Sequence, residues 1–297
     1  MIETGELALP HGITLSCRMA GDPAAPVLVF LHGFPEAAFV WDDMLTRLAA
    51  RGYRCIAPNL RGYASSSSPA DREAYRAHHL LQDIEALLAA QGAPVAALVA
   101  HDWGGAIAWG VAARRPGLME RLVIINAPHA GAFARELQGN PRQQAASAYM
   151  NYLARPDAAQ RLAQDDFRRI WPFFADAQGR ADWLTEDVKD RFRQVWREGG
   201  AGLVGPCSYY AASPLRPPTP GDPAAAGLTL ADNALRVSVP TLVLWGEQDS
   251  ALLPSLLDGL DRWVPDLRIE RHPQASHWVV HEDPNWVARR IEAFLRP

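Results

Sequence analysis

The sequence predicts an α/β fold: a mostly parallel sheet covered by helices on both faces, with a helical cap inserted into it. Three observations carry this. Short unbroken apolar runs alternate with helix-period segments up to Asn126, the rhythm of buried parallel strands and their crossover helices. From about His129 to Leu215 the strand signal disappears and a helical, aromatic-rich pattern replaces it. The β/α rhythm then resumes at Thr241. The expected division is a core of residues 1–128 and 228–297, with a cap and a Pro-rich return linker over residues 129–227.

Taken in order, Gly5 to Ala20 reads as a hairpin turning at Pro10-His11-Gly12. Val27–Leu31 is a short buried strand ending at His32-Gly33-Phe34-Pro35-Glu36. A helix follows to about Ala50, with Trp41, Met44, Leu45 and Leu48 on one face. Cys55–Pro58 is the next strand; a loop through Arg61-Gly62-Tyr63 and a helix near Leu80–Ala90 follow it. The run beginning at Val95 is another strand, then come a helix over Ala106–Arg114 and a strand over Arg121–Asn126. Past the cap, Pro214 to Gly227 reads as an exposed Pro/Gly-rich link. Thr241–Gly246 is a strand, Leu252–Leu260 a helix, Leu267–Glu270 a strand, and Pro284–Leu295 the last helix.

Composition narrows the function classes. With 297 residues, 48% hydrophobic and 21% charged, a packed core is expected. The net charge of −4 comes without a basic stripe, which speaks against nucleic acid as a partner. Three cysteines in a long chain suggest reduced thiols and a cytoplasmic setting. No signal-peptide pattern and no apolar run of about 20 residues appear, so no membrane partner is expected.

The chemistry gathers at Val95–Ala106. An apolar strand stops at His101-Asp102-Trp103, Gly104 and Gly105 follow, and a helical pattern begins. Small residues permit a sharp strand-to-helix turn that lifts one side chain above the sheet edge, the nucleophile-elbow pattern, here with Asp102 at the tip. Asp102, Asp249 and His277 each fall just past a strand, in the chain order nucleophile, acid, histidine. As a plain helix N-cap, Asp102 would need none of these partners. A carboxylate is ionised at neutral pH and attacks without a base; on saturated carbon it gives a stable ester, on a carbonyl a reactive anhydride. His277 would then activate water, Asp249 would orient the imidazole, and the backbone N–H groups of Phe34 and Trp103 would stabilise the oxyanion. A His277/His281 metal pair lacks a third ligand at recognisable spacing, so neither metal nor cofactor is expected. His11, His78 and His79 read as surface residues, His129 as a packing residue, and His101 as pointing away from the site.

His32-Gly33-Phe34-Pro35-Glu36, Arg61-Gly62-Tyr63, His101-Asp102-Trp103-Gly104-Gly105, Gly246-Glu247-Gln248-Asp249 and Ser276-His277-Trp278 together resemble the soluble epoxide hydrolase branch of the α/β-hydrolases, over nearly the full chain. The resemblance implies opening of an epoxide by water to a vicinal diol, with two cap tyrosines on the epoxide oxygen. By motif these are Tyr149 and Tyr210, with Tyr152 and Tyr209 as neighbouring alternatives; Trp171 is a further candidate for substrate contact. Ser208 and Ala211 replace the Asn and Arg usual around the second tyrosine, and Ala100 the first elbow glycine. Two other readings stay open. A hydrolytic dehalogenase uses the same Asp nucleophile, although Trp103 stands where haloacetate enzymes carry Arg and Phe34 where haloalkane enzymes more often carry Asn. A non-catalytic ligand-binding member is the other. The expected partners are a small apolar epoxide and water; a homo-oligomer is left open.

Overall fold

The computed structural model describes residues 1–176, 178–197 and 202–296. Strands β1 (Glu3–Ala8) and β2 (Thr14–Ala20) form the expected hairpin, and β3 (Val27–Leu31) enters the sheet beside β4 (Arg54–Pro58). Between them lies α1 (Asp42–Ala49); α2 (Ala77–Ala90) leads to β5 (Ala97–His101), α3 (Asp102–Arg114) and β6 (Leu122–Ile125). After β6 come α4 (Ala130–Gly139), α5 (Pro141–Ala146), α6 (Tyr149–Leu153), α7 (Ala158–Phe167), α8 (Glu186–Arg197), α9 (Val204–Ala212) and α10 (Asp232–Leu235). The sheet is completed by β7 (Thr241–Gly246) and β8 (Leu267–His272), and α11 (Val279–Glu282) and α12 (Pro284–Leu295) close the chain.

The eight strands run in the order β1-β2-β4-β3-β5-β6-β7-β8. β1 pairs antiparallel with β2 and β2 antiparallel with β4; β4, β3, β5, β6, β7 and β8 form one parallel set. Period-two alternation divides the central strands between two apolar layers. Leu98, Ala100, Leu122 and Ile124 face α2, α3 and the inserted helices, while Ala97, Val99, Val123 and Ile125 face α1 and α12. Each fully buried Val, Leu or Ile side chain there contributes about 1.5–3 kcal/mol relative to exposure.

Register fixes where chemistry can occur. Leu31 pairs with Ala100, His101 with Ile125, and Ile125 with Leu244. The loops after β3, β5, β6 and β7 therefore open at one edge, the usual ligand edge of a parallel sheet. The inserted helices lie over that edge, since Tyr149, Pro172 and Tyr210 share a cavity with Asp102.

Three sequence expectations fail. Leu252–Leu260 is not a helix but two 3₁₀ turns, Pro254–Leu257 and Leu260–Arg262, separated by Gly259 at φ +66°. Pro254 and the left-handed Gly259 interrupt what the leucine spacing suggested. The Pro214–Gly227 link is not simply exposed: Pro217, Ala224 and Ala225 are buried, and Arg216 pairs with Asp222 at 2.7 Å. His11 is half-buried, with Nε2 2.7 Å from Asp83.

Candidate active site

The elbow is built in one residue. His101 is still extended (φ −118°, ψ 145°), Asp102 is left-handed at φ +49°, and α3 begins there. A left-handed non-glycine residue costs on the order of 1 kcal/mol or more, and Asp tolerates it better than most. Two glycines make the close approach possible. A Cβ on Gly33 would lie 2.3 Å from the Asp102 side chain, and one on Gly104 would lie 2.6 Å from the His32 carbonyl. Asp102 does not cap its own helix; its Oδ1 accepts the Phe34 N–H at 2.7 Å. Its Oδ2 lies 3.6 Å from His277 Nε2, an ion-pair contact longer than a hydrogen bond.

Asp249 and His277 meet as the motifs suggested. His277 Nδ1 is 2.7 Å from Asp249 Oδ2, and the Asp249 side chain has no solvent exposure. That carboxylate is fully partnered: Asn126 Nδ2 donates to Oδ2 at 2.9 Å, and the Ala251 and Leu252 N–H groups to Oδ1 at 2.9 and 2.8 Å. Burial opposes ionisation of His277, but the facing carboxylates Asp249 and Asp102 outweigh it and raise the imidazole well above its ordinary value. Burial likewise opposes the Asp102 carboxylate, which His277, His101 and the Phe34 N–H nonetheless hold below the ordinary range. His32 braces the turn after β3: burial lowers it to about 4, and this neutral ring donates from Nδ1 to the Gly33 carbonyl and accepts the Leu60 N–H.

Two cavities meet at Asp102, Tyr149 and Tyr210. One, of about 270 Å³, adds His277, Phe34, Phe173 and Trp278. The other, of about 330 Å³, is walled by apolar side chains of α2, α3 and the inserted helices, including Leu80, Ile107, Phe133 and Met150. Tyr210 packs edge-on against Phe34 (centroids 5.1 Å) and Trp103 (5.2 Å), and lies 6.1 Å from the Tyr149 ring. Burial raises both phenols above their ordinary value, and the Asp102 charge adds to it, so they remain neutral donors.

Residues 26–284 match the family described as the alpha/beta hydrolase fold. The chain belongs to the α/β-hydrolase fold family. This α/β-hydrolase is 33% identical to the AB hydrolase superfamily protein YfhM of Bacillus subtilis (strain 168), over 96% of both chains. It is 32% identical to Epoxide hydrolase 3 of Xenopus tropicalis, over 96% of this chain and 75% of that protein. A solved structure described among novel epoxide hydrolases from metagenomes of hot environments shares 35% identity and a TM-score of 0.85, covering 100% of this chain and 99% of that one. The motif resemblance to the epoxide hydrolase branch agrees with these relatives.

The remaining candidates of this α/β-hydrolase divide clearly. Tyr209 contributes its ring to the larger cavity, but its hydroxyl donates to the Arg61 carbonyl at 2.8 Å. Tyr152 and Trp171 line neither cavity; Trp171 packs on Trp196 and under Arg193. Ser208 donates to the Val204 carbonyl within α9, so the aromatic edges of Phe34 and Trp103 hold Tyr210. His129 caps α4 and stacks on Trp263 at 4.9 Å. Sequence reasoning missed Asn126, whose Oδ1 accepts the Gly246 N–H at 2.8 Å while its amide holds Asp249. The available signal was an Asn ending a buried strand. It also missed Glu36 and His101, which form a buried pair at 2.9 Å behind His277. Among the described residues no helix is long and apolar enough to cross a membrane.

Proposed function

We propose that this α/β-hydrolase opens an apolar epoxide with water to a vicinal diol, through an ester on Asp102. One observation carries the reading: a carboxylate with Oδ1 on the Phe34 N–H and Oδ2 3.6 Å from His277 Nε2, in a cavity shared with two neutral phenols. The names of the epoxide hydrolase relatives support it, as does the apolar wall of the larger cavity.

In the first step Asp102 Oδ2 attacks an epoxide carbon. The carbon–oxygen bond of the ring breaks, and its electron pair goes to the epoxide oxygen, which Tyr149 and Tyr210 protonate or hydrogen-bond. In the second step water attacks Cγ of Asp102 while His277 Nε2 takes its proton. Charge develops on Oδ1, which the Phe34 N–H already meets and to which the Trp103 N–H, in the first turn of α3, would donate. Collapse breaks the Cγ–Oδ2 bond and releases the diol, whose second oxygen takes the proton from His277, while the water's remaining proton leaves the Asp102 carboxyl and restores the phenol that protonated the ring oxygen. The diol thus carries an Asp102 oxygen and the enzyme keeps the water's.

A panel of epoxides and organohalides assayed for diol, alcohol and halide selects the substrate class. With a turned-over epoxide, one turnover in H₂¹⁸O should label the peptide containing Asp102 and leave the first diol unlabelled. His277→Gln should accumulate enzyme heavier by one substrate. Label passing from water directly into the diol, with no heavier enzyme in that variant, would refute the two-step scheme.

A further inference from the structure

Glu36 carries a carboxylate with no solvent exposure, so both oxygens need partners. His101 Nδ1 meets Oε2 at 2.9 Å and His281 Nε2 meets Oε1 at 2.6 Å. His101 continues from its other nitrogen, with Nε2 2.9 Å from the His277 carbonyl oxygen. Both nitrogens of His101 thus face oxygen atoms, one of a carboxylate and one of a carbonyl. On the far side, the His281 ring lies flat on Trp183, in the turn before α8, at 4.0 Å and 7° between planes. Indole, imidazole, carboxylate, imidazole and carbonyl thus form one line from the insert to His277, half-buried at Trp183 and His281 and fully buried at Glu36 and His101. Glu36, His101, His281 and Trp183 line neither cavity.

We propose that His281 is a positioning residue for the water-attack step, fixing Glu36 and, through His101, the backbone of His277. The inference rests on the ester reading above. Ester formation depends on the aim of Asp102, which its own turn and the Phe34 N–H set. Ester hydrolysis depends on where His277 Nε2 stands relative to Cγ and a water, and small misplacements there cost about 10²-fold.

Three variants separate the parts of the line. His281→Phe keeps a flat ring for Trp183 and removes the donor. His281→Gln restores a donor without the stack. Trp183→Leu removes only the stacking partner. Each is mixed with an epoxide turned over by the wild type, quenched at intervals, and read by intact mass as ester formed and ester lost. For His281→Phe, formation should stay within about threefold of wild type while decay slows roughly 10- to 100-fold, so that kcat and KM fall together. His281→Gln should recover decay to within about fivefold. Should His281→Phe fail to fold, Trp183→Leu serves in its place, with decay slowed at least about threefold and formation unchanged. Equal decay in variant and wild type, or equal slowing of both steps, overturns the proposal. Absence of ester from both wild type and His277→Gln overturns the two-step reading and this proposal with it.

Discussion

His277 lies between two carboxylates, 2.7 Å from Asp249 and 3.6 Å from Asp102, and its imidazolium is strongly favoured while both are charged. In the proposed scheme, alkylation of Asp102 would convert one of them to a neutral ester, so that the same ring would then lose its proton at a lower pH. Water attack needs the neutral ring. Ester decay should therefore rise about tenfold per unit below the ester-form pKa and level off above it. Ester formation needs only ionised Asp102, already held below the ordinary carboxylate range, and should stay flat across neutrality. Quenching steady-state reactions between about pH 5 and 9 and weighing the intact enzyme should find the ester fraction growing as pH falls. A constant fraction would separate His277 from the second step.

At the scale of elements, the junction of β5 and α3 sets the site because it brings a helix against the turn after β3. A Cβ on Gly104 would meet the His32 oxygen at 2.6 Å and the Leu31 carbonyl carbon at 2.7 Å, backbone atoms that cannot swing away. Gly104→Ala should force α3 off β3, destabilise by about 2–3 kcal/mol and lower Tm by several degrees. Diol formation should drop at least about tenfold, because Asp102 moves with α3; a melting scan and a turnover assay check both. This junction was legible in the sequence because its requirements are local: an apolar run, one polar tip, small flanking residues. Leu252–Leu260 was misread for a related reason. Its leucines recur at helical spacing, yet Pro254 and Gly259 divide them into two 3₁₀ turns that bury Leu256, Leu257 and Leu260 equally well. Asn126, despite its place at the end of a buried strand, and Glu36 were missed for the opposite reason. Their partners Asp249 and His281 stand 123 and 245 positions away, and nothing in local pattern marks such a pair.

Across the whole molecule, the hold of the inserted helices on the sheet rests on buried indoles more than on charges. Arg191 of α8 reaches Asp42 of α1 at 2.7 Å, but that pair is part-exposed and Arg18 already engages the same carboxylate at 2.5 Å. Surface pairs of this kind contribute about 0–1 kcal/mol. Trp196 is 3% exposed, and its Nε1 donates to the Pro35 carbonyl at 2.8 Å, one residue from the Phe34 N–H that holds Asp102. Trp278 makes a similar tie in the other direction, donating from Nε1 to the Phe173 carbonyl at 3.1 Å. Removing the Trp196 donor strands a buried carbonyl, whereas removing Arg191 leaves Asp42 still paired. Trp196→Phe should therefore lower unfolding free energy by about 1–3 kcal/mol and weaken turnover through the loosened Pro35 turn. Arg191→Ala should change stability by less than about 0.5 kcal/mol and leave turnover unaltered. Urea midpoints and kcat/KM for the two variants, measured side by side, decide it: the reverse ranking would mean that the ion pair, not the indole, fixes the insert over the site.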